Sequence, residues 1–128
     1  MAFAVERIDH VEVFVRDIKR SVAWYQKTLG LTVVEPWEGE PVMIGSGGTL
    51  LALFTVRRDG SDNSDDDRQP AIRWRRVAWR TDQSGFQSAQ EHLHACGVRF
   101  EGPIDHGRSW SLYFEDCDGN PLEITRYA

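Results

Sequence analysis

The chain states one pattern twice, and that duplication limits its fold more than any other feature. Residues 8–34 read Ile-Asp-His-Val-Glu-Val-Phe-Val-Arg-Asp, then a helical stretch, then Leu29-Gly30-Leu31-Thr32-Val33-Val34. Residues 74–100 read Trp-Arg-Arg-Val-Ala-Trp-Arg-Thr-Asp, then a helical stretch, then Cys96-Gly97-Val98-Arg99-Phe100. Each copy closes on a similar strand, Leu50 to Phe54 in the first and Pro121 to Thr125 in the second. The repeat predicts two tandem βαβββ modules, an α+β fold. Two such half-sheets facing one another make a barrel-like, curved eight-stranded sheet around a cavity, the usual setting for a small-molecule site.

Local patterning supports each element. Val11, Val13 and Val15 alternate with Glu12, Phe14 and Arg16, the period of a half-buried strand. Asp17 is placed to cap a helix from Ile18, whose inward stripe is expected at Ile18, Val22, Tyr25 and Leu29, with Gly30 as the stop. The second helix is expected from about Ser84 to Ala95, with Phe86, Ala89 and Leu93 inward and Gly97 ending it. Short strands are expected around Val42-Met43-Ile44, and longer ones over 49–56 and 109–114. Asp116-Cys117-Asp118-Gly119-Asn120-Pro121 reads as a tight turn into the last strand.

The domain organisation follows. The 128 residues suffice for one domain: module one at 1–56, an acidic linker at 57–70 and module two at 71–128. The linker is almost devoid of apolar residues and reads as a mobile loop. Its Asp62-to-Asp67 run lacks the turn glycine and distal glutamate of a calcium loop, so it is taken as solvated.

Charge and composition exclude several classes. A net charge of −5 argues against a nucleic-acid partner, and no apolar run reaches membrane-spanning length. Met1 to Glu6 is too short for a signal peptide. Cys96 and Cys117 have neither metal-ligand nor disulfide-scaffold spacing and fit a reducing cytoplasm. Five Trp, six Phe and three Tyr are many rings for so small a chain, and some are expected to line a pocket or an interface.

Alternation selects the candidate site. If Val11, Val13 and Val15 pack under the helices, then His10, Glu12 and Phe14 face the cavity. Glu123, between Leu122 and Ile124, faces it by the same rule. Matching Val77, Trp79 and Thr81 to Val11, Val13 and Val15 makes Arg76 the counterpart of His10. Aligning on Asp17 and Asp82 selects Arg75 instead, but turns Arg76 and Arg80 towards the helices at a burial cost. Ser109, Ser111 and Tyr113 are expected to face the cavity, and the His106-Gly107-Arg108 turn precedes them. His92 and His94 are expected at the surface.

Three segments carry a family resemblance: the stretch from His10 to Asp17, Ser21-Val-Ala-Trp-Tyr25 with Leu29-Gly-Leu31, and Leu112-Tyr-Phe-Glu-Asp-Cys-Asp-Gly-Asn-Pro-Leu-Glu-Ile124. Together they resemble the vicinal oxygen chelate superfamily of glyoxalase I, extradiol dioxygenases and fosfomycin- and bleomycin-resistance proteins. Cys117 stands where the family usually has proline. The resemblance covers nearly all of the chain outside the linker. It implies paired βαβββ modules, a homodimer and a small-molecule ligand; its His106–Arg108 loop often borders the pocket.

Metal-dependent members hold a divalent ion at positions that fall here on His10, Arg76, Glu123 and, near the end of module one, Ala52. The resemblance therefore implies metal ligands at His10 and Glu123 only, because an arginine cannot shed a proton to ligate and Ala52 has no donor. The reading preferred on charge is that Arg76 takes the ion's place and pairs with Glu123, with no metal cofactor. The expected function is then small-molecule binding of the glyoxalase or bleomycin-resistance type. Arg76, Ser111, Tyr113, Phe14 and Arg108 would bind the ligand, and Glu123 and Arg76 would carry any catalysis. The alternative is a lyase, transferase or dioxygenase in which His10 and Glu123 bind Zn, Ni, Mn or Fe and recruit a further ligand such as Glu12.

Overall fold

The computed structural model describes residues 4, 6–34, 39–56 and 75–128. The linker at 57–70 lies outside them. The chain divides into two compact units, residues 1–65 and 66–128. Each is a βαβββ module with a mixed four-stranded sheet, so the α+β fold follows the duplication.

The first module runs β1 (His10–Val15), α1 (Ile18–Leu29), β2 (Thr32–Val33), β3 (Val42–Ser46) and β4 (Thr49–Thr55). Its sheet order is β1-β4-β3-β2, with β1 parallel to β4 and the other pairs antiparallel. Asp17 caps α1 by accepting from the Arg20 amide at 2.9 Å, satisfying one of the helix's unpaired N–H groups. Gly30 ends it in the left-handed region at φ 68°, where a residue with a β-carbon is strained.

The buried stripe of α1 is Ser21, Tyr25 and Thr28. Of the four residues expected inward only Tyr25 is buried; Ile18, Val22 and Leu29 are half-buried flanks. Apolar periodicity marks the middle of the greasy surface. Close packing instead favours the small side chains that let a helix approach its sheet.

The second module repeats the plan: β5 (Val77–Arg80), α2 (Gln83–Ala95), β6 (Glu101–Asp105), β7 (Ser109–Glu115) and β8 (Pro121–Tyr127). Its sheet order is β5-β8-β7-β6, with β5 parallel to β8. Asp82 caps α2 through the Gly85 amide at 2.7 Å. Phe86 and Leu93 are buried as expected, and Ala89 is half-buried.

Leu122 and Ile124 are buried, and Arg126 lies over both Phe86 of α2 and Trp110. The even-numbered side of β8 therefore packs on α2, and its odd-numbered side, with Glu123, faces away. The turn into β8 is tied by Asp116, which accepts from the Asp118 and Asn120 amides and from the Asn120 side chain.

Candidate ligand-binding site

Strand register gathers the candidate residues of module two on the face away from α2. Glu123 stands between Ala78 on β5 and Tyr113 on β7; Thr125 stands between Arg80 and Ser111. Arg76 precedes β5 by one residue, and its guanidinium carbon sits 4.3 Å from the centre of the Tyr113 ring. Such a cation over an aromatic face contributes about 0.5–2 kcal/mol, more as water is excluded. The Tyr113 hydroxyl lies 2.8 Å from Nε2 of His106 in the β6–β7 turn. Ser111, buried, donates from Oγ to Glu123 Oε2 at 2.8 Å.

Gly102 shapes this corner. Its φ is 122°, and a β-carbon there would lie 2.5 Å from the Ser111 carbonyl oxygen. Only glycine lets β6 cross β7 so closely, beside the residue that holds Glu123.

The expected pairing of Arg76 with Glu123 is not what the structure shows. Among the described residues no salt bridge joins them. Arg76 is spent on the Tyr113 ring and Glu123 on the Ser111 hydroxyl. Arg76 Nε is buried and has no hydrogen-bond partner among the described residues. An orphaned buried donor costs about 1–3 kcal/mol, and more when charged.

In module one, His10, Glu12 and Phe14 align with Leu50, Ala52 and Phe54 on β4. The rings of Phe14 and Phe54 lie 6.4 Å apart. His10 is flanked on both ring nitrogens: Nδ1 is 2.9 Å from Asp9 Oδ2 and Nε2 is 3.1 Å from Glu12 Oε2. These carboxylates, Asp9 first, raise its pKa above the ordinary 6.5. The modules differ in where the carboxylate sits. Glu12 is on β1 beside Ala52, whereas Glu123 is on β8 beside Ala78.

Arg108 is exposed, and its carbonyl accepts from the Ala128 amide at 3.1 Å. His106, in the same turn, reaches the Tyr113 hydroxyl. Sequence reasoning noted its turn without giving it a role, because its contact with Tyr113 depends on how β6 turns into β7.

Two of the four positions that the family resemblance assigns to a divalent ion carry no metal donor. A guanidinium occupies one family position and a methyl group another, and both nitrogens of His10 already face carboxylates. Among the described residues, no three His, Cys, Asp or Glu side chains are grouped to hold a metal.

Two βαβββ modules, each with a mixed four-stranded sheet, define a class of paired-module α+β proteins. Within it, residues 7–124 match the model of the Glyoxalase/Bleomycin resistance protein/Dioxygenase superfamily, and the chain belongs to that family. An integron cassette protein from the mobile metagenome of V. cholerae is 25% identical over 100% of both chains, with a TM-score of 0.75. The antibiotic-binding protein TnmS3 from Streptomyces sp. CB03234 shares the fold at a TM-score of 0.76 and 20% identity, covering 98% of this chain and 99% of its own. Lactoylglutathione lyase from Agrobacterium tumefaciens does so at 0.74 and 19%, covering 95% of this chain and 94% of its own.

Proposed function

We propose that this chain is a small-molecule-binding protein that holds its ligand through side chains of module two rather than through a metal ion. The observation that carries this reading is Arg76. The family resemblance assigns it to a metal-ligand position, and it lies on Tyr113 with a buried Nε that has no partner among the described residues. The same fold serves an antibiotic-binding protein, which supports a binding role, and a lyase, which is the alternative. We propose further that the protein works as a homodimer, in the cytoplasm, without a nucleic-acid partner.

Metal analysis of the purified protein, joined to a thermal-shift screen of aromatic and polar compounds, tests the reading. Substoichiometric Zn, Ni, Mn and Fe, with ligand shifts indifferent to added metal, are expected. One ion per chain would put the metal-dependent enzyme first. Arg76→His supplies the complementary test: it replaces the cation with a neutral donor, and the variant should gain a metal-dependent rise in melting temperature that wild type lacks.

A further inference from the structure

We infer that His92 and Cys96, at the C-terminal end of α2, form a two-donor site for a soft monovalent cation, Cu(I). The two cysteines of the chain have no metal-like spacing between themselves, but Cys96 has a second donor beside it. Its Sγ lies 3.5 Å from His92 Nε2, in a solvent-exposed contact. The two residues are one turn apart, so their side chains share a face of the helix. The turn that spaces them is closed, because the Cys96 amide donates to the His92 carbonyl at 2.9 Å. Leu93, within that turn, is buried and anchors it, while His92 is exposed and Cys96 half-buried. A thiol sulfur and an imidazole nitrogen are thus held side by side before any ion arrives.

The donor count selects the ion. Among the described residues, no three His, Cys, Asp or Glu side chains are grouped to hold a metal. A tetrahedral ion such as zinc is therefore two protein ligands short at this pair. Cu(I), a closed-shell ion that takes thiolate and imidazole donors, is complete with two in line. An ion entering between Sγ and Nε2 sends the thiol proton to solvent, and rotation of the two side chains opens the gap. The negative end of the helix dipole lies here and favours a cation. The pair is separate from the Arg76 group, because α2 packs on the side of β8 opposite Glu123.

Competition of the full chain against bathocuproine disulfonate, in ascorbate and without oxygen, measures the affinity and stoichiometry for Cu(I). The tightest site should hold one ion per chain. Cys96→Ser should abolish it. His92→Gln should weaken it about tenfold or more, since losing even an outer partner of a metal ligand costs about that much. Cys117→Ser removes the other free thiol and should match wild type. X-ray absorption at the copper edge should show one sulfur and one nitrogen neighbour.

The absorption measurement uses wild-type protein, so it decides even where a variant fails to fold. Two sulfur neighbours, or His92→Gln binding as tightly as wild type, would mean that thiols alone hold the ion and would overturn the inference. Loss of the tight site in Cys117→Ser, or no competition by wild type, overturns it as well. The ligand-binding reading survives each of these outcomes, because it concerns the other side of the sheet and is tested with other metals.

Discussion

Tyr113 is held from two directions, by a guanidinium on its ring and by an imidazole at its hydroxyl. Removing these contacts separately should cost separately. Tyr113→Phe keeps the ring under Arg76 and loses only the hydroxyl contact, about 0.5–1.5 kcal/mol in urea denaturation. Tyr113→Leu should lose about a further 0.5–2 kcal/mol, because the cation then has no π face. Equal losses in the two variants would mean that the cation–ring contact carries no stability. His10 makes the pH prediction. Its pKa is raised by Asp9 and Glu12, so its contribution is complete below 6.5 and is lost as pH rises through the higher folded value. Proton NMR should place the His10 titration above 6.5, and Asp9→Asn or Glu12→Gln should bring it down.

At the scale of elements, the β6–β7 crossing is the tightest constraint on the site. Gly102→Ala puts a β-carbon against the Ser111 carbonyl and forces a side chain into φ 122°. Gly107→Ala, in the adjoining turn at φ 89°, meets nothing within 4 Å. Gly102→Ala should therefore destabilise by about 2–3 kcal/mol and Gly107→Ala by about 1 kcal/mol, as read by chemical denaturation. A Gly102→Ala protein as stable as Gly107→Ala would show that β6 moves away freely. Capping is the element-scale feature the sequence states most openly. Asp17 and Asp82 both accept the amide three residues on, as their positions before the helical stretches predict. The depth of α1 was hidden, because Ser21 and Thr28 carry no apolar signal and are buried by shape.

For the whole molecule, the oligomeric state is the open expectation. In each sheet two strands are edges, β1 and β2 in the first and β5 and β6 in the second. Val33 and Val34, on and just past the short edge strand β2, are exposed apolar residues. Edges of this kind are covered in stable proteins, and a second copy of the chain is the expected cover. Light scattering at micromolar concentration should return twice the 14.7 kDa chain mass. A mass of one chain would show that the edges need no second copy.

What the sequence determined by itself was the plan. Periods of two and of 3.6, capping aspartates and terminating glycines are local signals, so the two modules, their element order and the outward side of β8 were legible in it. The residue type at the position that the family resemblance assigns to a metal ligand was legible too, since an arginine cannot ligate in any conformation. The tertiary structure decided the contacts. Arg76 chose the ring of Tyr113 over the carboxylate of Glu123, Ser111 took that carboxylate, and His106 reached Tyr113 from a turn. Each of these depends on which strands lie side by side, and at what register. Alternation says which face a side chain is on, but only the packed sheet says which neighbour it meets there.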